Sequence, residues 1–181
     1  MASRSVSARR YAEAAFDLAV EGDALAAWSG DLRTIAAFVE EPDVAGIVKS
    51  GRVPRPDKLR LLEAGLAGQV SPLAMNLARL LSERSKLGLA RDMQTAFQEM
   101  VDERSGVAHA TVTTAVPLAD DERTAIAARL SALTGKRVDV TAAVDESIIG
   151  GVIARIGDQL IDGSTRTRLL ALKRRLEGAT K

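Results

Sequence analysis

The chain has no cysteine among its 181 residues and a single histidine. Without thiols there are no disulfides, no zinc or iron–sulfur ligation through sulfur and no cysteine nucleophile. One imidazole is too few for a histidine metal cage and leaves a hydrolase triad without support. Aromatic residues make up only 3% of the chain, and the 46% that is hydrophobic is carried mainly by Ala, Leu, Val and Ile. That mix suits close-packed helices better than a large sandwich. Long apolar runs are also missing: nothing approaches the roughly 18 consecutive apolar residues that would span a bilayer. Charge of one sign is absent too, with 25 basic residues against 24 acidic. These absences predict a soluble protein of one or two small domains. Residues 1–10 are rich in Ser and Arg, with a faint likeness to a transit peptide, but Glu13 and Asp17 follow at once and no apolar secretory core appears. A cytosol-type compartment is the expectation.

What is present divides in two. Up to about Arg104 apolar residues recur three and four apart; beyond Gly106 the composition turns to Val, Thr and Ala with few charges. The expected boundary gives domains 1–105 and 106–181, with 14 basic and 15 acidic residues in the first and 11 and 9 in the second. Neither is a polyelectrolyte. The first domain reads as a bundle of about six helices. Helix one covers about 5–20. Helix two starts at Asp23 as N-cap and carries Leu25, Trp28, Leu32, Ile35, Ala36 and Val39 on one face. A short third holds Val44, Ile47 and Val48. After a turn at Pro54 and Pro56, a fourth carries Leu59, Leu62 and Leu66. Ser71-Pro72 pairs an N-cap with a first-turn proline and opens a fifth, ending near Glu83. The sixth covers about 87–104, with Leu89, Met93, Ala96, Phe97 and Met100 as its stripe.

The second domain reads as a smaller α+β module in the order β-α-β-β-β-α. A strand at about 108–116 precedes a helix at 120–133 that ends on Gly135, and a strand at 136–142 follows. Strands at 152–156 and 159–161 flank Gly157-Asp158, a two-residue hairpin signal. Asp162-Gly163-Ser164 then forms a turn, with Ser164 as N-cap of a last helix to about residue 176. The fold class is therefore mainly α, with a six-helix bundle followed by this module.

A search for chemistry finds no constellation. Gly135-Lys136 lacks the upstream glycine of a phosphate loop, and Arg137 stands where a magnesium-binding hydroxyl belongs. Gly150-Gly151 lacks the third glycine of a dinucleotide fingerprint; it fits unusual backbone angles or the close approach of another backbone. His109 shares a strand face with Thr111 and Thr113 and has no carboxylate partner near in sequence. Asp145 and Glu146 are adjacent, so they point apart, and Asp145 reads as a turn carboxylate before Ser147. The last helix carries Arg166, Arg168, Lys173, Arg174 and Arg175, which raises a nucleic-acid-binding module as an alternative. Against it stand the near-zero net charge, the lack of nearby aromatics and the ordinary preference of helix C-termini for cations.

Two helices are apolar over a wider arc than a one-sided surface helix requires. On helix one, Ala12, Phe16 and Ala19 share one flank, while Tyr11, Ala14, Ala15 and Leu18 share another. Helix five surrounds a narrow polar stripe of Asn76, Arg79 and Glu83 with Leu73, Ala74, Leu77, Ala78, Leu80 and Leu81. Both helices could simply be central in the bundle. Alternatively, their spare flanks form an apolar groove suited to an amphipathic helix from a partner.

Arg10-Tyr11-Ala12 with Ala14-Ala15-Phe16, Val116-Pro117-Leu118, and above all the run from Val144-Asp145-Glu146-Ser147-Ile148-Ile149-Gly150-Gly151 through Gly157-Asp158 to Asp162-Gly163-Ser164 closely resemble one family. It is the delta subunit family of bacterial F-type ATP synthases, counterpart of the mitochondrial oligomycin-sensitivity-conferring protein. The similarity extends over essentially the whole chain. The resemblance implies a non-catalytic stator subunit with no cofactor and no metal, present in one copy per complex. By it, the N-terminal domain grips the N-terminal helix of an alpha subunit between helices one and five. Tyr11, Ala14, Ala15, Leu18, Leu73, Leu77 and Leu80 are then the contact candidates. The C-terminal domain is implied to meet the b subunits of the peripheral stalk. Asp145, Ile149, Gly150, Gly151, Gly157, Asp162, Gly163 and Ser164 are its structural motif. The implied place is the cytoplasmic face of the bacterial membrane, without direct insertion and without nucleic acid.

Overall fold

Helix α1, Ala2–Glu21, sets the character of the first half. Ala8, Ala12, Ala15 and Ala19 recur at i, i+4, i+7 and i+11 and are at most 2% exposed, a ladder of small side chains that lets neighbouring elements approach closely. The computed structural model describes residues 2–148, 150–167 and 169. After α1 come α2 (Leu25–Glu40), α3 (Pro42–Lys49), α4 (Arg55–Leu66), α5 (Pro72–Glu83), a 3-10 turn (Leu87–Leu89) and α6 (Ala90–Arg104). Their shared core holds Trp28, Leu32, Ile35, Leu62, Leu66, Leu81, Met93 and Phe97 beside the alanine ladder. Phe16 meets Phe97 edge-on, with centroids 5.9 Å apart.

The helix ends depart from the sequence reading in informative ways. Asp23 does not cap α2. It adopts φ +47°, and the bonds Asp23 N to Val20 O (3.2 Å) and Ala24 N to Ala19 O (2.8 Å) make it the left-handed residue that closes α1. A short polar side chain tolerates that backbone better than most, so the residue serves the preceding helix. Ser85 does the same for α5 at φ +54°, with Lys86 N donating to Leu81 O at 2.7 Å. Pro56 lies inside the first turn of α4 rather than before it. Ser71 caps α5 as expected, its hydroxyl accepting from Ala74 N at 3.3 Å. The residue expected to open helix six, Leu87, instead begins the 3-10 turn.

The chain divides into two compact units, Met1–Val101 and Asp102–Lys181, so the division falls inside α6, ahead of the Ser105-Gly106 joint. In the second unit, β1 (Val107–Thr114), α7 (Asp120–Thr134), β2 (Arg137–Val144), β3 (Val152–Ile156) and β4 (Gln159–Asp162) build a four-stranded sheet in the order β2-β1-β3-β4. β1 and β2 run parallel, which a tight turn cannot achieve, and α7 supplies the crossover. β3 pairs antiparallel with both β1 and β4. Ala110, Val112, Leu130, Val138 and Ala154 form the buried centre of this unit. Gly135 ends α7 at φ +70°, and Gly157 turns the β3–β4 hairpin at φ +55°.

Candidate partner-docking surface

Among the described residues, the fully buried side chains of α1 are all alanines, with Tyr11 and Phe16 packed partly buried against the same core. Leu18 is 49% exposed, Ala14 is exposed and Tyr11 is half-buried. Ala15 is the exception among the expected contacts: it is 2% exposed. It stands three residues after Ala12 and four before Ala19, so it belongs to the buried ladder and offers nothing to a partner.

On α5 the buried face is Ala74, Ala78, Leu81 and Ser82. A hundred degrees per residue then carries Leu73, Leu77 and Leu80 to one side of that face as a continuous stripe. Leu73 is 56% and Leu80 39% exposed, while Leu77 is half-buried. The polar side is held down by Arg79, whose Nε donates to Glu63 Oε1 of α4 at 2.8 Å and whose NH1 donates to Asn76 Oδ1 at 3.1 Å. Asp31 of α2 steadies the start of α5 by accepting from Ser71 N at 3.2 Å. Thus α1 and α5 both bury one flank in the same core and leave a second, apolar flank in solvent. Exposed leucines cost little stability one at a time, but a leucine stripe on α5 together with Leu18 on α1 calls for a reason.

In the second unit, the motif residues form one lock at the start of the last helix. Asp162 Oδ1 accepts from Ser164 N at 2.9 Å and its Oδ2 from the Thr167 hydroxyl at 2.7 Å, while Ser164 Oγ accepts from Thr167 N at 3.2 Å. Ser164 is therefore the N-cap that the turn sequence predicts. Thr165 donates to Gly150 O twice, from its amide at 3.0 Å and from its hydroxyl at 3.1 Å, and Gly163 N donates to Val152 O at 2.8 Å. Gly151 sits at φ +88°, where a Cβ would lie 2.6 Å from Gly163 O. The glycine is needed both for its backbone angle and for the close approach. Asp145 accepts from Ser147 N at 2.9 Å in an Asx turn. The Ser147 hydroxyl and amide hold the Asp145 carboxyl below the usual carboxylate range. The Ser164 amide, then the Thr167 and Ser164 side chains, do the same for Asp162. Ile149 lies outside the described residues.

Residues 7–176 match the family model for the ATP synthase delta (OSCP) subunit. The chain belongs to that family. It is 35% identical over 166 residues to ATP synthase subunit delta of Dehalococcoides mccartyi, an alignment spanning 92% of this chain and 91% of that one. Against ATP synthase subunit delta of Anaeromyxobacter sp. the identity is 37% over 174 residues, spanning 94% of this chain and 96% of the other. Among solved structures, a chain of the cryo-EM structure of the Toxoplasma gondii mitochondrial ATP synthase hexamer superimposes with a TM-score of 0.69 at 25% identity. That match covers 93% of this chain and 96% of the other. Family and fold thus agree on a mainly helical chain with a small four-stranded sheet.

The residues weighed for chemistry have local structural partners: Asp145 forms the Asx turn with Ser147, and Gly135 ends α7. Among the described residues no three His, Cys, Asp or Glu side chains are placed to hold a metal ion, and no helix is long and apolar enough to cross a membrane. His109 does have a carboxylate partner, contrary to the expectation from its neighbours: its Nε2 lies 2.9 Å from Asp102 Oδ2, on the last turn of α6. The partner is seven residues away because α6 stops and β1 turns back beside it. Of the five cations on the last helix only Arg166 lies among the described residues, where it is exposed; Arg168, Lys173, Arg174 and Arg175 fall outside them.

Two supporting residues escaped the sequence reading. Lys58 Nζ donates to Val48 O at 2.9 Å and Ser50 O at 2.7 Å, closing the end of α3 from α4. Gly65 has the Phe38 ring seated directly over it, so that a Cβ there would overlap Phe38 Cε2 and Cζ. A lone glycine inside a leucine-bearing helix was the available signal for this packing.

Proposed function

We propose that this chain is a non-catalytic stator subunit that joins the catalytic head of an F-type ATP synthase to its membrane-anchored b subunits. The exposed flanks of α1 and α5 take the N-terminal helix of one alpha subunit, through Tyr11, Ala14, Leu18, Leu73, Leu77 and Leu80. The second unit engages the b subunits. The complex carries one copy of the chain, held at the cytoplasmic face of the membrane through its partners. The work of such a subunit is mechanical. It must resist torque during rotation, and slow dissociation from apolar burial supplies that without a reacting group.

The observation that carries this reading is the exposure of large apolar side chains on two core helices in a member of the delta family, Leu18 on α1 and Leu73 and Leu80 on α5. A helix laid in a groove reads its target through i, i+3, i+4 and i+7 anchors, which is the spacing of Leu73, Leu77 and Leu80. The test is titration of the full chain with a synthetic peptide covering the N-terminal helix of the alpha subunit from the same genome, followed by calorimetry and amide shifts. Saturable one-to-one binding with shifts on α1 and α5 supports the assignment. No binding at high micromolar peptide, or shifts confined to the second unit, defeats it.

A further inference from the structure

We propose that the outer flank of α1 selects a partner helix by the order of its charges: an acidic residue in its first turns and basic residues two to three turns later, with the helix lying parallel to α1. This rests on the docking reading above and adds partner chemistry and direction to it.

On α1 the lane of Tyr11, Ala14 and Leu18 is bordered on its solvent side by Arg10, Asp17 and Glu21, in that order. Helical rise puts Asp17 about 10 Å and Glu21 about 16 Å beyond Arg10. All three are exposed. Among the described residues none of them makes an ion pair, whereas neighbouring Arg9 pairs with Glu13 at 3.3 Å. On the polar border of the α5 stripe, Arg79 is held by Glu63 and Asn76, while Glu83 is exposed beyond the C-terminal end of the stripe. The border of the α1 lane is therefore positive near its N-terminal end and doubly negative near its C-terminal end.

A partner helix that answers this pattern needs an anion beside Arg10 and cations seven and eleven residues on. The same order is what a helix prefers for itself, since acids stabilise its first turn and bases its last. Parallel docking satisfies both demands at once. An antiparallel helix with that internal order would set its acid against Asp17 and Glu21 and its bases against Arg10. Exposed pairs add little equilibrium affinity, so the discrimination falls mostly on the association rate and fades with salt.

Three peptides with the same leucine anchors test this: acid-first, base-first, and a neutral one with Gln at those positions, helicity equalised by side-chain stapling. At low salt the full chain should capture the acid-first peptide about tenfold faster than the base-first one, and the gap should close in about 0.5 M salt. A spin label at the N-terminal end of the acid-first peptide should broaden the amides of Ser7 to Tyr11 and spare those of Leu18 to Glu21. In the triple variant Arg10→Glu, Asp17→Lys, Glu21→Lys the preference should reverse. Those substitutions are at exposed positions, so the fold is retained. Equal capture of all three peptides at low salt, or broadening at Leu18 to Glu21 instead, overturns the charge-order proposal and leaves the docking reading standing. Failure of all three peptides to bind overturns both.

Discussion

The exposed and buried leucines of α5 make opposite predictions, and one pair of variants separates them. Leu18, Leu73 and Leu80 are 49%, 56% and 39% exposed, so together they hold in solvent about one and a half leucine side chains' worth of apolar surface. Full burial of a leucine is worth about 1.5–3 kcal/mol. Truncating all three to alanine should therefore cost about 2–4 kcal/mol of partner binding, or about 30- to 1,000-fold in Kd. The folded state loses little, because what is removed was mostly in water already.

Leu81 is the control. It is 0% exposed, one residue after Leu80, and packs in the core with Ala74 and Ala78. Leu81→Ala should cost about 2–5 kcal/mol of stability through lost transfer energy and the cavity left behind. Calorimetric titration with the alpha-subunit peptide reads the first quantity, and thermal melting of the same samples reads the second. The triple variant should melt near the parent and bind weakly; Leu81→Ala should melt early. If the triple variant binds within threefold of the parent, or melts as early as Leu81→Ala, the division of α5 into a core face and a docking flank is wrong.

Gly65→Ala should destabilise the first unit by about 1–3 kcal/mol, since its methyl group would overlap the Phe38 ring; thermal melting should show much of the loss recovered when Phe38→Leu is added. Gly151→Ala meets both a backbone angle of φ +88° and a carbonyl 2.6 Å from the new Cβ. Hydrogen exchange should then rise at the amides of Gly163, Thr165 and Thr167, and equal protection in the variant would refute the lock. Asp145 and Asp162 carry carboxyl groups held below the ordinary value of about 3.9 by hydrogen bonds made only in the fold. Their contribution is thus fully present above about pH 4 and is lost as the pH falls through the lower folded-state values. Amide shifts of Ser147, Ser164 and Thr167 followed from pH 6 to 2 should move only below pH 4; a midpoint above that would contradict the geometry.

What was legible in the chain depended on how local its cause is. The division of α5 into Ser71 cap, buried alanines and a leucine flank is written in one helical period, and so is the hairpin at Gly157-Asp158. The lock at Asp162 was half legible: the Asp-Gly-Ser turn announced a cap, but the reason for Gly151 lies in a carbonyl twelve residues away. Ala15 shows where a wide apolar arc misleads. With alanines at 12, 14, 15 and 19, composition alone does not say which belong to the ladder, and only the packing of other helices against Ala8, Ala12 and Ala19 draws the fourth rung into the core. Asp23 misled for the opposite reason: the same short polar side chain that caps the start of one helix tolerates the left-handed turn that ends another, and the two hydrogen bonds to Ala19 O and Val20 O decide between them. Contacts such as Lys58 on the carbonyls of α3, Asp31 on Ser71 and Asp102 on His109 have no period to betray them. They depend on where two elements come to rest, and that is why a sequence rich in helical signal foretold the surface of α5 better than the small polar ties that hold it in place.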